Sequence, residues 1–297
     1  MHIKTALTIA GSDSGGGAGI QADIKTFQEC AVYGMSAITA VTAQNTLGVH
    51  SVFPLPLVEV AAQLDAIADD IRPDGVKTGM LYDKDTICLV ADRIQRYHWR
   101  NIVVDPVMIA KGGASLLRSD AAEALIEQLL PLTTVVTPNL LEAEVLAKMT
   151  IQSREDRLEA ARRIHAYGAK WVYIKGGHDD NEEHATDLAF NGEEARWYSS
   201  ERIATVHTHG TGCTLSAAIT ASLASGAEPT TAFERAKAYI QLAIAHPLGI
   251  GNGHGPVNHW AQRGLYMQLK PEQWNAARLE PTPLDKTVQL EGQQYAK

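Results

Sequence analysis

The chain has 297 residues, 45% of them hydrophobic and 20% charged, which is the balance of an ordinary globular protein with enough length for a large core. A net charge of −8 and an isoelectric point near 5.8 argue against nucleic-acid and anionic-membrane partners, because phosphate backbones reward clusters of Lys and Arg. The three cysteines, Cys30, Cys88 and Cys213, form no C-x-x-C pair, which argues against a disulfide framework or structural zinc and suits a reducing cytoplasm.

Along the chain, runs rich in Val, Ile and Thr alternate with amphipathic stretches. Residues 3–10 predict a strand, followed by a glycine loop and a helix over 19–32. A strand over 35–42 and a helix over 56–71 come next; Val60, Leu64 and Ile67 fall at helical spacing in the latter. The alternation continues with strand 75–79, helix 83–97, strand 101–105, helix 119–130 with Ser119 as N-cap, and strand 133–137. Pro138-Asn139 is a helix-start signal, and helix 154–167 leads to strand 171–175. Segments 185–191 and 195–200 flank Asn191-Gly192 and predict an antiparallel hairpin at one sheet edge, before helices over 212–225 and 230–245. Such βαβ repetition predicts a three-layer α/β/α fold around a mostly parallel sheet. No linker divides the chain, so one domain over residues 1–260 is expected. Residues 261–297 are expected to form a loosely held extension. The apolar run 6–10 is too short for a secretory signal, and the uncharged stretches 31–58 and 203–227 are interrupted by polar residues, so no membrane span is expected.

In open α/β sheets, functional residues sit beyond the carboxyl ends of the strands. Those positions read 11–19, Gln44-Asn45, 77–80, 105–111, 137–142, 175–178 and 207–213, nearly all polar or glycine-rich. Gly17, Gly19 and Ala22 match G-x-G-x-x-A. The second strand nevertheless ends in Gln44-Asn45, with no acid between Glu29 and Glu59 to hold a ribose, and no Gly-Lys-Ser/Thr is present. A nicotinamide or flavin site is therefore not expected. Gly210-Thr211-Gly212-Cys213 opens a helix whose free amides would suit a transferring phosphoryl group, with the helix dipole expected to favour a Cys213 thiolate that acts as base. His207 and His209 with Cys213 lack zinc spacing. Asn139 and Glu142, at i and i+3 of a helix start, suit hydrated Mg²⁺; alternatively, they are an N-cap and a solvated glutamate. Asp105, ending an apolar strand, is a second metal candidate, and Lys175 ends another strand where a cation can reach phosphate oxygens.

Together these motifs resemble the ribokinase-like superfamily and, within it, the hydroxymethylpyrimidine/phosphomethylpyrimidine kinases of thiamine biosynthesis. The resemblance covers residues 3–260. It is carried by Leu7-Thr8-Ile9-Ala10-Gly11-Ser12-Asp13, Ala43-Gln44-Asn45-Thr46, Lys77-Thr78-Gly79-Met80, Asp105-Pro106-Val107-Met108, Thr137-Pro138-Asn139 with Glu142, Lys175-Gly176-Gly177-His178 and Thr208-His209-Gly210-Thr211-Gly212-Cys213. It implies transfer of the ATP γ-phosphoryl group to a substrate CH₂OH and then to the resulting monophosphate, with Mg²⁺. Cys213 would be the base, and the Gly210 and Gly212 amides would stabilise the transition state. Gln44 would read an aminopyrimidine edge, because a carboxamide offers a donor beside an acceptor. Met80, Val107 and Met108 would sandwich the ring, with Gly11 and Asp23 as further contacts. Thr208 and Lys237 would join Lys175 near the nucleotide. A homodimer is also implied. The alternatives are a pyridoxal kinase and a non-catalytic vitamin-precursor binder. Bifunctional relatives often carry a second cysteine in the flap, where this chain has Ala110, which favours the pyrimidine.

Overall fold

The computed structural model describes residues 3–108, 121–177 and 184–263. Their nine strands form a single sheet in the order β3-β2-β1-β4-β5-β6-β7-β8-β9. These are β1 (Thr5–Asp13), β2 (Tyr33–Asn45), β3 (Gly48–Pro54), β4 (Gly75–Thr78), β5 (Ile102–Val104), β6 (Val135–Val136), β7 (Trp171–Ile174), β8 (His184–Phe190) and β9 (Ala195–Glu201). From β2 to β7 every pairing is parallel, as the βαβ alternation predicts. The expected hairpin is β8–β9. The opposite edge is antiparallel too, because β2 runs on to Asn45 and turns into β3.

Period-two alternation divides the core into two layers. Leu7, Ile9, Val76, Ile102, Val104, Val136 and Ile174 pack under α2 (Leu57–Asp70), α3 (Lys84–Arg96), α4 (Ala121–Ala124), α5 (Leu140–Ala147) and α6 (Arg154–His165). Their neighbours Ala6, Val103, Val135 and Tyr173 face α1 (Gly19–Glu29), α7 (Thr211–Ala224) and α8 (Pro229–Ala245) on the other side. Every residue of α7 from Thr214 to Ala224 is buried, because α1, α8 and the sheet enclose it; its small side chains are what let it fit there. Local signals start the other helices. Asp83 caps α3 by accepting the Thr86 N–H, and reciprocal capping boxes start α5 (Asn139/Glu142) and α6 (Ser153/Asp156). The helix expected over 119–130 is α only from 121 to 124 and then widens into a π turn, Leu125–Leu129; Ser119 lies outside the described residues. The flap residue Ala110, His178 and the extension beyond 263 also lie outside them.

The chain leaves β1 toward β2 on one side and later returns to β4 on the other. This switch of direction beside β1 opens a crevice at the strands' carboxyl ends, where the candidate residues gather.

Candidate active site

β1 delivers Asp13 to the floor of the crevice, where it is buried. Its carboxylate accepts the amides of Gly15 (2.8 Å), Gly17 (3.0 Å) and Ala18 (2.8 Å), and lies 2.9 Å from His209 Nε2. The glycine loop is thus wound around a carboxylate. Burial opposes the charge, but the hydrogen bonds from His209 and the loop amides hold the Asp13 carboxyl below the usual range.

The loop closes on the start of α7. Gly210 caps that helix with φ +81°, and a Cβ there would overlap the Gly17 carbonyl, so only glycine allows the approach. The amides of Gly212 and Cys213 have no acceptor among the described residues, as expected in the first turn of an uncapped helix. A Cβ on Gly212 would stand 3.2 Å from Lys175 Nζ, so this glycine keeps open the gap between the helix start and the ammonium.

Cys213 is partly exposed, and the Gly19 amide hydrogen-bonds to it. The expectation that the helix dipole favours its thiolate is corrected here. Burial pushes the thiol up to about 11, outweighing the helping charge of Lys77. Lys77 is wholly buried and held bidentate by Asp23 at 2.7 and 2.8 Å; the same carboxylate accepts the Thr8 hydroxyl at 2.6 Å. Burial opposes the ammonium, but Asp23 outweighs it and keeps Lys77 charged. Asp23 is itself fully buried, so the expected direct contact with a ligand is corrected too: it holds Lys77 near the sulfur.

Gln44 lies at the carboxyl end of β2. Its backbone is clasped by the Ser14 hydroxyl, and its side-chain amide comes 3.3 Å from His209 Nε2. His209 immediately precedes Gly210, so Gln44 and Cys213 are anchored to opposite ends of one short segment. Met80 is buried against Gly11, where a Cβ would fall 2.5 Å from the Met80 methyl group. Val107 is half-buried just beyond Asp105, and Met108 is buried in the larger core cluster.

A second cluster lies beside Gly212. Lys175 Nζ is 2.7 Å from Asp105 and 4.0 Å from Glu142, and Asp105 also accepts the Ser216 hydroxyl. Burial raises the Glu142 carboxyl to about 7, with Lys175 working against the shift and Asp105 adding to it. Asn139 Oδ1 accepts the Glu142 N–H, and Glu142 accepts the Asn139 N–H. The pair is therefore a helix cap, as one sequence reading has it, but Glu142 is buried instead of solvated. The side-chain oxygen of Asn139 is committed to the cap, which fixes Glu142 in place.

Thr208 shapes the turn into α7, its carbonyl accepting the Thr211 hydroxyl at 2.7 Å. Lys237 is bound to Asp187 (2.8 Å) and the Ala185 carbonyl (2.9 Å), and Asp187 also accepts the Gly176 amide. That carboxylate links Lys237 to the loop carrying Lys175. Lys237 lines an open groove of about 420 Å³ between α8 and β9, with Tyr198, Ser200 and Glu234. Sequence reasoning gave no role to Asp13 or Lys77, and considered His209 only as a metal ligand. A lysine in the short apolar strand Gly75–Thr78 was the available signal, since a buried ammonium demands a buried counter-charge.

A family model described as phosphomethylpyrimidine kinase matches residues 13–258. The chain is 56% identical over 261 residues to the hydroxymethylpyrimidine/phosphomethylpyrimidine kinase of Bacillus subtilis, covering 88% of this chain and 96% of that one. The fold matches the ADP complex of Bacillus subtilis pyridoxal kinase with a TM-score of 0.82 at 47% identity, covering 88% and 99% of the two chains. The Staphylococcus aureus pyridoxal kinase in complex with AMP-PCP and pyridoxal matches with a TM-score of 0.80 at 40% identity, over 88% and 95%. With the three-layer ribokinase-like fold and a family match across nearly the whole described chain, the protein is a phosphotransferase that belongs to the phosphomethylpyrimidine kinase family.

Proposed function

We propose that the protein transfers the γ-phosphoryl group of ATP to the hydroxymethyl group of 4-amino-5-hydroxymethyl-2-methylpyrimidine, and then phosphorylates the monophosphate, in thiamine biosynthesis. The observation that carries this reading is the tether between Gln44 and Cys213. The amide suited to an aminopyrimidine edge and the thiol suited to its alcohol both attach to the junction of the glycine loop and α7. The two sides of the site divide the work. Gln44, Gly11, Met80 and Val107 hold the ring; Lys175, Thr208 and Lys237 lie on the nucleotide side.

Once its own proton has been lost to solvent, the Cys213 thiolate takes the proton of the hydroxyl as the substrate oxygen bonds to the γ-phosphorus and the bond to ADP breaks. The amides of Gly210 and Gly212, with that of Cys213 beside them, face the charge on the phosphoryl oxygens. In the free protein the sulfur carries its own proton at neutral pH, so the base is latent. Lys77, held by Asp23, is the charge that lowers the cost of ionising it.

The cluster of Asp105 and Glu142 fits Mg²⁺. Two carboxylates share one ammonium, and a Glu142 carboxyl raised to about 7 marks a site short of positive charge. When bound, Mg²⁺ supplies charge neutralisation at the phosphate oxygens. Asp105 and Glu142 would hold it, with Asn139 orienting Glu142 through the capping box.

We also propose residues 1–260 as the kinase domain with 261–297 as an extension, a homodimer, and a cytoplasmic location. Among the described residues no helix is long and apolar enough to cross a membrane. A second reading, a pyridoxal kinase, is favoured by the likeness to solved pyridoxal kinases. Release of ADP with each alcohol at equal concentration separates the two. The pyrimidine is expected to turn over faster, and faster turnover of pyridoxal would overturn the ranking.

A further inference from the structure

Three polar groups meet at the glycine loop: Asp13 Oδ2 lies 2.9 Å from His209 Nε2, and the terminal nitrogen of Gln44 lies 3.3 Å from that same ring atom. Their donor and acceptor roles are not free. Asp13 also receives three backbone N–H groups, so it is an ionised acceptor, and His209 Nε2 must carry a proton toward it. A Gln44 NH₂ facing that N–H would set two donors against each other. Turning the carboxamide over removes the conflict at no steric cost, since its oxygen and nitrogen are nearly isosteric. The oxygen then accepts from His209 Nε2–H, shared with Asp13. The NH₂ faces Thr42 Oγ at 3.4 Å, a hydroxyl whose single proton is already donated to the Ser12 carbonyl at 2.9 Å. Thr42 is thus available as the acceptor. Gly17 has no Cβ where one would stand 2.5 Å from the imidazole Cδ2, so the ring is packed in place.

We propose that Asp13, His209 and Thr42 act as positioning residues that fix which end of the Gln44 carboxamide is donor and which is acceptor, and so set which way round the pyrimidine is held. The inference rests on the assignment of Gln44 to the substrate ring. An amide reads an amine beside a ring nitrogen with a direction. Reversing the amide puts donor against donor, or turns the ring so that its hydroxymethyl group leaves Cys213. Asp13 fixes the proton on His209, His209 fixes the oxygen of Gln44, and Thr42 holds the nitrogen.

Steady-state kinetics test this with two alcohols, 4-amino-5-hydroxymethyl-2-methylpyrimidine and its analogue carrying methyl in place of the 4-amino group. His209→Leu should raise KM for the amino substrate about tenfold, the cost of one lost part-buried hydrogen bond to an imidazole held by a carboxylate, and leave KM for ATP unchanged. It should also shrink the preference for the amino compound over the analogue. His209→Gln, which can still present an N–H at that position, should restore most of both. Thr42→Val is nearly isosteric, covers the case in which the Leu variant fails to fold, and should raise the same KM several-fold. Wild-type KM and preference in His209→Leu, or in Thr42→Val, would overturn the inference, as would a Gln variant no better than Leu. Gln44→Ala separates the two levels. An unmoved pyrimidine KM there removes the substrate assignment and this inference with it, whereas a raised one beside wild-type behaviour in His209→Leu removes this inference alone.

Discussion

Glu142 and Cys213 are both held in their proton-bearing forms by burial, with opposite consequences for experiment. The Glu142 carboxyl is raised from 4.5 to about 7, so the folded chain binds a proton more tightly there than the unfolded chain. Its contribution to stability is therefore full below about pH 4.5, falls as pH rises toward 7, and is flat above, a swing on the order of a few kcal/mol. Glu142→Gln keeps the neutral form, so thermal unfolding should show the variant gaining on wild type between pH 5 and 8. Affinity for Mg²⁺ should rise over the same range in wild type alone. At Cys213 the thiol near 11 predicts that turnover increases with pH from 7 to 9. Cys213→Ala should lower kcat by roughly 10²–10⁴ while leaving the pyrimidine KM nearly unchanged, as steady-state assays will show. That Cys213 stands at a helix start was legible in the sequence. The direction of its pKa was not, because the dipole is a property of local chain geometry whereas burial depends on α1, α7 and the sheet closing around it.

The glycine loop and the first turn of α7 form the next level. Gly210 adopts φ +81° against the Gly17 carbonyl, whereas Gly226, also left-handed at φ +86°, has nothing within 4 Å of a built Cβ. The pair separates backbone strain from close packing. Gly226→Ala should cost about 1–2 kcal/mol of stability and leave kcat intact. Gly210→Ala should cost clearly more and lower kcat, because the loop must retreat from the helix start; thermal unfolding and turnover measured on both variants check this. Beneath that turn, the Lys77–Asp23 pair joins β4 to α1 across 54 positions of sequence. Removing one partner of such a buried pair typically costs about 3–5 kcal/mol. The parallel strands, most helix boundaries and the hairpin followed from period and turn chemistry. β3 did not. It is an edge strand with exposed Phe53 opposite exposed Val41, so its pattern carries no buried face to betray it. The π turn after α4 likewise answers to packing against α3, which local propensity does not encode.

At the scale of the whole molecule, the sheet gathers residues from Asp13 to Cys213 at the carboxyl ends of its parallel strands. That convergence was legible, because strand ends follow from the βαβ alternation, and Gln44, Asp105, Glu142, Lys175 and Cys213 all sit where it predicts. What the linear sequence could not give is pairing between distant segments: His209 with Asp13, and Lys77 with Asp23. The Gln44 amide, from β2, meets the short segment from His209 to Cys213 that carries the thiol, and the proposed chemistry depends on both groups meeting a single bound alcohol. The measurement that tests this most directly is affinity alkylation with the 5-chloromethyl analogue of the pyrimidine, in which the attacking sulfur displaces chloride, followed by peptide mass spectrometry. One adduct is expected, on Cys213 and not on Cys30 or Cys88, prevented by the parent alcohol and slowed in Gln44→Ala. An unmodified Cys213, or labelling indifferent to both the alcohol and the loss of Gln44, would contradict it.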